Sequence, residues 1–404
     1  MRLSLFLILT CGAPAVLGCD SCTNVAPTDG GQVSDADITD RDGPSEGDTG
    51  WRRDAAVLDA GEAADAGGDL TDAGGDLDDA AGDLDDAGGV LTDAGGNPID
   101  ASEDAGLEVF VAVTFNTGIH PTVGSDGFTL QQREYLDTYY GHGLAWGPAI
   151  DQARTFLERV QPDLVAFQEY FDVEECADIP VEARQGFVCE DWTPESPTVA
   201  QRILGPGYQL ACNVGMPDKC AAVKTAFGTF PSCAEETCRD GLYGSVISGC
   251  GRGARIGRGL IQLVQGGTLT VVNVHGSSGY SDEEIDCRVL QVEQVFVDLG
   301  DGAPAASGQR NLILGDFNTD PRSPTAILFD ESARRWNDFV GAAHPFGFIN
   351  DRVLTYNNVA CIDNMVSDEL TGACWFPGFT TGHPTISPEG YFDHTPTVCA
   401  IDLP

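Results

Sequence analysis

Carboxylates, amides and histidines recur from residue 107 onward, each at or just after a short apolar run. These positions are Asn116, Glu169, Asn273, His275, Asp316, Asn318, Asp393 and His394. Carboxylate and amide oxygens are the ligands that hard divalent cations prefer. Amides and imidazoles donate to phosphoryl oxygens, and a His–Asp pair can act on a water molecule or a leaving group. The ordered set therefore predicts a metal-assisted phosphoester hydrolase.

The apolar runs before these residues are typical of buried strands. They cover residues 109–115, 164–167, 219–223, 260–264, 268–274, 312–314 and 396–401. The Gly266-Gly267 pair predicts a hairpin between the fourth and fifth runs. Apolar residues at helical spacing predict helices over 149–160, ended by Pro162, and over 285–299. Because strands dominate, we expect two packed sheets with helices outside them.

Several of these segments match one known family in the same order. They read VAVTFNTG, PDLVAFQEYF, TVVNVHGSSG, NLILGDFNTDP, CIDNMVSD and FDHTPTV. From about Val109 to its C-terminus the chain resembles the endonuclease/exonuclease/phosphatase superfamily, which includes DNase I, abasic-site endonucleases, inositol-polyphosphate phosphatases and bacterial neutral sphingomyelinases. The resemblance implies a DNase I-like α/β fold, a four-layered sandwich of two mostly antiparallel β-sheets flanked by helices.

The resemblance also implies a metal site. Glu169 of the QE motif matches the principal metal ligand, and Asn116 would orient both that carboxylate and the phosphate. Asp393 beside the terminal histidine would be a metal-site or positioning acid. The cofactor expected from this family is Mg²⁺ or another divalent cation such as Mn²⁺ or Ca²⁺.

Three further matches concern the reacting phosphoryl group. Asp316 and Asn318 of the GDFN motif would orient or activate the attacking water and touch the transferring group. The alternative to this catalytic role is that Asp316 and Asn318 only form an Asx-turn. His275 would donate to a phosphoryl oxygen as charge builds in the transition state.

The last pair of catalytic residues lies near the C-terminus. His394 matches the catalytic histidine of the family's DH motif, and Asp363 matches the acid that holds its tautomer. The family usually has an aromatic residue after that acid, whereas Asn364 and Met365 follow here.

An arginine-rich and glycine-rich segment, GCGRGARIGRG, lies at residues 249–259. Its Arg252, Arg255 and Arg258 form either a phosphate-contact loop or a solvated turn. The family places a basic phosphate contact directly before the following strand, which implies Arg258 as a substrate-binding residue. The substrate stays open between a phospholipid such as sphingomyelin and nucleic acid.

Charge divides the 404-residue chain into two parts. The net charge is −42, and residues 20–106 hold 24 Asp or Glu against three Arg, about half of it. This acidity excludes a general polyanion-binding surface. From Asp65 a seven-residue unit repeats, as DAGGDLT, DAGGDLD, DAAGDLD, DAGGVLT and DAGGNPI. Its glycines disfavour a coiled coil, so we expect residues 19–106 to be a disordered acidic linker, with a calcium-binding β-roll as the alternative.

The N-terminus reads MRLSLFLILTCGAPAVLGC, with Arg2 followed by an apolar stretch and a lipobox-like VLGC. We expect residues 1–18 to be a signal peptide and Cys19 to carry a lipid anchor, or else secretion after cleavage near Gly18. The 14 cysteines agree with export, since exported chains can oxidise them. Close spacings suggest the pairs Cys176–Cys189, Cys233–Cys238 and Cys361–Cys374, and the odd number from residue 107 on implies one thiol that is free or pairs with Cys22.

These observations predict a monomeric, exported, cell-envelope or secreted enzyme, with residues 107–404 as its phosphodiesterase domain. Its partners would be a phosphodiester substrate, either phospholipid or nucleic acid, and a membrane reached through Cys19. The alternative is a cell-surface binding module that keeps the fold without turnover.

Overall fold

The computed structural model describes residues 108–300, 302–386 and 390–404. The predicted signal peptide, the lipidation site Cys19 and the acidic linker lie outside these residues and stay predictions. No helix in the described ranges is long and apolar enough to cross a membrane.

The described residues form thirteen strands and six α-helices. The strands are β1 (Glu108–Asn116), β2 (Leu164–Gln168), β3 (Tyr208–Asn213), β4 (Met216–Lys224), β5 (Gly228–Thr229), β6 (Thr237–Leu242), β7 (Ile256–Leu263), β8 (Thr268–His275), β9 (Asn311–Asp316), β10 (Gly347–Phe348), β11 (Asp363–Ser367), β12 (Thr371–Trp375) and β13 (Thr397–Leu403). The helices are α1 (Leu130–Tyr135), α2 (Gly147–Val160), α3 (Val199–Leu204), α4 (Asp282–Phe296), α5 (Pro324–Phe329) and α6 (Glu331–Asn337). Short 3₁₀ segments lie at Ser125–Gly127, Val173–Ala177 and Val181–Ala183, and a π segment lies at Leu136–Tyr140.

The strands make two sheets. The first has the order β12-β13-β1-β2-β4-β3-β6, and the second has the order β10-β11-β9-β8-β7-β5. Three neighbouring pairs are parallel, namely β1 with β2, β3 with β6 and β8 with β9, and the other paired strands run antiparallel. The prediction of two mostly antiparallel sheets is therefore confirmed.

Alternation of side chains along β1 shows how the layers form. Phe110 and Ala112 belong to the apolar core between the sheets, whereas Val113 and Phe115 belong to the core under α2 and α3. Successive side chains of a strand point to opposite faces, so one apolar strand serves both cores.

The second sheet divides its side chains in the same way. Leu269 and Val271 of β8 lie in the core between the sheets, and Val272 and Val274 lie in a third core with residues of α4 and α6. Helices thus cover the outer face of each sheet. This arrangement is the four-layered sandwich that the sequence predicts.

The face of β8 that points between the sheets becomes polar at its carboxyl end. Asn273 and His275 follow Val271 on that face, and in β9 Asp316 follows Leu314 in the same way. Because β8 and β9 are parallel, their carboxyl ends lie at the same edge of the sheet. The strand pattern therefore brings polar side chains to one end of the buried layer.

Each predicted helix and strand differs from the observed element at one end or both, as two examples show. The helix expected over 285–299 is Asp282–Phe296. It begins earlier because Ser281 and Glu284 form a reciprocal capping box, and it ends earlier because Val297 is extended. The strand expected over 396–401 is Thr397–Leu403.

Five disulfides join ten of the described cysteines. They are Cys176–Cys189, Cys212–Cys220, Cys233–Cys238, Cys250–Cys287 and Cys374–Cys399. The suggested Cys361–Cys374 pair is wrong, because Cys374 faces Cys399 across β12 and β13. Within the described residues Cys361 has no disulfide partner and is buried, whereas Cys22, the alternative partner, lies outside them.

Candidate active site

Three neighbouring strands of the second sheet place three ionisable side chains side by side. His275 of β8 is the register partner of Asp316 of β9, and Asp316 is in turn the partner of Asp363 of β11. All three are buried, with exposed fractions of 4%, 1% and 1%. Side chains directly opposite on adjacent strands lie within contact range, so this row follows from the sheet register.

Asp316 is the centre of a hydrogen-bond network. Its Oδ2 accepts from Asn116 Nδ2 at 2.9 Å, and this bond links the second sheet to β1 of the first. The backbone N–H of Asn318 donates to Asp316 Oδ1 at 2.7 Å, and Asn318 Nδ2 donates to Oδ2 at 3.1 Å. Burial raises the pKa of Asp316, while its amide donors favour the ionised form.

Asn318 adopts a positive φ of 49°, which asparagine tolerates better than most residues. This turn lets its side chain fold back and also donate to Gly276 O at 3.0 Å. The Asx-turn alternative from the sequence is thus part of the same arrangement, since the turn places the Asn318 amide against the Asp316 carboxylate.

Glu169 lies immediately after β2, with a positive φ of 58°. Its Oε1 is 3.1 Å from His275 Nε2, which joins the first sheet to the row on the second. Burial opposes ionisation of this half-buried side chain, but His275, His394 and the Asn116 amide outweigh it and hold the pKa of Glu169 well below its usual range. Glu169 is therefore a carboxylate at neutral pH.

Gly118 makes room for this carboxylate. A Cβ at that position would be 2.5 Å from Glu169 Oε2 and 3.5 Å from Asp393 Oδ1. The backbone N–H of Gly118 donates to Asn116 Oδ1 at 3.0 Å. A side chain at residue 118 would therefore displace the acid that the sequence predicts as the principal metal ligand.

His394 and Asp363 form a buried pair. His394 Nδ1 is 2.8 Å from Asp363 Oδ2, and its Nε2 is 3.9 Å from Asp316 Oδ2. Burial alone would lower the pKa of His394, but Asp363 and then Asp316 and Asp393 raise it well above its usual value. A protonated His394 donates to Asp363 through Nδ1 and directs Nε2–H into the site.

The pKa of His275 shifts in the opposite direction to that of His394. Burial and the neighbouring Lys219 lower the pKa of His275 to about 4. Lys219 is itself a buried side chain of β4, paired with Asp218 at 2.5 Å. His275 is therefore neutral at neutral pH and has one N–H to donate.

Asp393 lies at the edge of the site. Its Oδ1 is buried without a hydrogen-bond partner, and its Oδ2 is 3.7 Å from His120 Nε2. Burial raises the pKa of Asp393 to about 6. The His120 ring stacks on His142 with centroids 4.3 Å apart.

Buried amides support the site from below. Gln168 Nε2 donates to Asn273 Oδ1 at 2.8 Å across the two sheets, and Asn273 Nδ2 donates to Asn213 Oδ1 at 3.3 Å. Asn213 Nδ2 donates in turn to Ala254 O at 3.0 Å. This chain satisfies polar groups that would otherwise cost free energy in the interior, and it holds β2 against β8.

Two overlapping groups of side chains have the composition of a metal site. One is Glu169, His275 and Asp316, and the other is Asp316, Asp363 and His394, with the candidate ligand atoms of each group within 4.8 Å of one another. The unpartnered Oδ1 of Asp393 adds a further oxygen nearby. A set rich in carboxylate and amide oxygen fits a hard divalent cation.

The structure brings together nearly all of the residues that the sequence predicts for the site. The converging side chains are Asn116, Glu169, His275, Asp316, Asn318, Asp363, Asp393 and His394. Asp363 holds its expected place beside His394 although Asn364 and Met365 depart from the family pattern.

Arg258 is not brought to this cluster. It is the register partner of Val272, so its side chain lies on the outer face of the second sheet, opposite to that of His275. There its guanidinium donates to Pro304 O at 3.0 Å and to Ser307 Oγ at 3.2 Å. Arg258 therefore lies apart from the clustered residues, and its role in substrate binding stays a prediction.

Arg255, which the sequence offers for a phosphate-contact loop, lies near the site. It accepts the His275 backbone N–H through its carbonyl at 3.0 Å and donates through Nη1 to Gly276 O at 3.3 Å. Three other residues near the site were missed from the sequence. Lys219 could have been noticed as a charged residue inside an apolar strand. His120 and His142 have no sequence signal, because only the fold brings His120 beside Asp393 and His142 against the His120 ring.

No family model and no curated protein matches the chain. Solved structures do match. One is an endonuclease/exonuclease/phosphatase protein of Beutenbergia cavernae, 14% identical, with 73% of this chain and 72% of that chain covered and a TM-score of 0.43. A family protein of Bacteroides thetaiotaomicron is 13% identical, with 74% and 98% covered and a TM-score of 0.40. A mannosyl-6-phosphatase of the same organism is 14% identical, with 72% and 99% covered and a TM-score of 0.40.

Two of these descriptions name the endonuclease/exonuclease/phosphatase family. The identities and TM-scores are too low for the activities of those proteins to be assigned to this chain. We take the chemistry of the site in this chain from its own side chains.

Proposed function

We propose that this protein is an exported, divalent-metal-dependent phosphodiesterase that hydrolyses its substrate by attack of water. The observation that carries the proposal is the row of His275, Asp316 and Asp363 on three adjacent strands, with His394 held by Asp363 and Glu169 facing the row. Acids, amides and two histidines in different protonation states converge on one point, which a purely structural polar cluster does not need.

The metal would be held by Glu169, with Asn116 and Asp393 as the further oxygen donors. Glu169 supports this role because its neighbours keep it ionised, and Asp393 supports it through its buried, unpartnered oxygen. A divalent cation in such a site neutralises charge on the phosphoryl oxygens and polarises the phosphorus centre.

Asp316 and Asn318 are suited to the attacking water. Burial makes Asp316 a stronger base than an exposed carboxylate, and its bonds from Asn116 and Asn318 fix its orientation. In the proposed reaction Asp316 accepts the proton of the water, and the Asn318 amide positions that water.

The two histidines act on the phosphoryl group. Protonated His394, fixed through Nδ1 by Asp363, donates from Nε2 to an oxygen that gains charge in the transition state. Neutral His275 donates a second hydrogen bond. Donors that are already oriented stabilise the transition state without reorganisation at the moment of reaction.

Export and anchoring remain part of the proposal. The lipobox-like VLGC before and at Cys19 supports them. The five disulfides agree with an oxidising compartment. The diester is a phospholipid or a nucleic acid, and a monomer suffices for the site because one chain supplies all of these residues.

The test is hydrolysis of bis(p-nitrophenyl) phosphate, plasmid DNA and sphingomyelin vesicles by the full chain, each with Mg²⁺ and with chelator. We expect Mg²⁺-dependent diester hydrolysis, reduced roughly 100-fold or more in His394→Ala. His344→Ala is the matched control, because His344 is exposed and has no contact with the site. A folded protein inert on all three substrates would favour the binding-module alternative, and full activity of His394→Ala would remove His394 from the mechanism.

A further inference from the structure

Large apolar side chains are exposed on three segments that hydrogen bonds or ring contacts join to the candidate site, namely the loop after β8, the end of α5 and the turn at residues 356–360. They are Tyr280 (84% exposed), Leu328 (71%), Phe329 (78%) and Val359 (69%), and we call them the apolar rim. Single exposed apolar residues are ordinary on protein surfaces, but several large ones on segments bonded to one site indicate an interaction surface.

Tyr280 is tied to the site through the loop after β8. Four residues separate it from His275, and the buried Arg288 fixes that loop by donating to Ser277 O at 2.8 Å and Gly279 O at 2.7 Å. The buried guanidinium of Arg288 therefore holds the backbone of the loop that carries Tyr280.

Leu328 and Phe329 are tied to the site through the end of α5. The next residue, Asp330, accepts from Thr319 Oγ1 at 2.7 Å, and Thr319 directly follows Asn318 of the site. Asp330 also lies 3.4 Å from Arg288 Nη2, so one buried arginine holds both loops. The two loops therefore keep a fixed spacing.

Val359 is tied to the site through a turn on the opposite side. Its backbone N–H donates to Tyr356 O at 2.8 Å, and the Tyr356 ring lies 4.9 Å from the His394 ring. The next residue, Asn357, donates its backbone N–H to Asp393 O at 2.9 Å. Rim residues are thus linked to the segments that carry both His275 and His394.

We propose that the apolar rim docks the enzyme on the surface of a zwitterionic phospholipid bilayer and presents the site to a lipid headgroup. Aromatic and aliphatic side chains partition into the boundary between headgroups and acyl chains. Charge selects the lipid, because residues 107–404 hold 39 acids against 17 basic residues and an anionic bilayer would repel them. This inference rests on the proposed function and narrows its substrate to the phosphodiester of a lipid.

Vesicle binding tests the rim independently of turnover. The full chain carries Cys19→Ser so that no acyl anchor contributes, and it is sedimented with phosphatidylcholine–sphingomyelin vesicles. The rim variant adds Tyr280→Ser and Phe329→Ser. The matched control adds Val109→Ser and Val264→Ser, which alter side chains 55% and 69% exposed at the opposite end of the two sheets.

We expect the Cys19→Ser protein and the matched control to bind vesicles alike. The rim variant should bind about tenfold or more weakly, and 0.5 M salt should not release the parent, since apolar insertion is not screened. Equal binding by the rim variant, or no binding by the parent, would overturn the inference. Self-association of the parent that the rim variant abolishes would overturn it too, in favour of a second copy of this chain as the occupant.

Hydrolysis of bis(p-nitrophenyl) phosphate separates this inference from the proposed function. A parent that hydrolyses the soluble diester but binds no vesicles would refute lipid docking and leave the phosphodiesterase proposal standing. A parent that binds vesicles through the rim but hydrolyses no diester would support docking and refute the enzyme.

Discussion

Replacing Asp363 with asparagine separates orientation of His394 from folding. The amide keeps the shape of the carboxylate but removes the charge that lies 2.8 Å from His394 Nδ1. A hydrogen bond to a charged group is worth about 1.5–3 kcal/mol. If that free energy is needed in the transition state, Asp363→Asn lowers kcat/KM about 10-fold to 150-fold, since about 1.36 kcal/mol corresponds to a factor of ten.

The effect on stability should be different. Asp363 is the direct register partner of Asp316, and both are 1% exposed, so two acids share a buried site. Removing one negative charge relieves repulsion between the carboxylates and offsets the lost bond to His394. We therefore expect a melting temperature close to that of the parent, together with the loss of activity.

The assay is hydrolysis of bis(p-nitrophenyl) phosphate over a range of pH, alongside thermal unfolding. Because Asp363 raises the pKa of His394, the variant should lose its protonated histidine at lower pH, and the alkaline limb of kcat should move toward acid. Asp368→Asn is the control, since Asp368 accepts from the backbone N–H of Asn311 at 2.9 Å at the far end of β9. Unchanged kcat/KM and pH profile in Asp363→Asn would refute the role of this acid in holding His394.

Three further predictions concern the metal side of the site. Gly118→Ala places a Cβ 2.5 Å from Glu169 Oε2, so it should abolish Mg²⁺-dependent turnover, while Gly347→Ala, whose Cβ would meet nothing within 4 Å, should not. Burial raises the pKa of Asp393 to about 6 from an unfolded value of about 3.8, so in chelator the stability should fall as the pH rises from about 4 to about 6. Asp393→Asn should flatten that fall, and a profile identical to that of the parent would contradict the pKa argument. Adding Mg²⁺ at 100 times its Kd should stabilise the folded parent by about 2.7 kcal/mol, measured by thermal unfolding. A melting temperature that does not change with Mg²⁺ would exclude a Mg²⁺ site in the folded state.

Much of the site could be predicted because its residues lie at strand ends. A buried strand can be recognised in the sequence as an apolar run. The polar residue at the end of the run can then be identified, as Asp316 can after Leu312, Ile313 and Leu314. The role of Asp363 could be predicted only from the family resemblance, because this residue begins its strand instead of ending it. The pairing of Cys374 could not be predicted from spacing, since the register of β12 and β13 decides it.

The protonation states of the two site histidines could not be predicted from the sequence pattern. His275 and His394 are the same residue type at similar burial, yet the pKa of one is lowered and that of the other is raised. The difference depends on which charges surround each ring: Lys219 of β4 lies near His275, and Asp363 of β11 contacts His394. These neighbours are 56 and 31 residues away in the chain.

By itself the sequence determined the residue types of the site and the period-two pattern that points them between two sheets. Hydrophobic alternation is local, so it survives in the linear order of residues. The tertiary structure decided which side chains touch, that Arg258 faces away from the site, and that Tyr280, Leu328, Phe329 and Val359 are exposed. Contacts of that kind depend on strand register and loop packing over long separations, which no local pattern encodes.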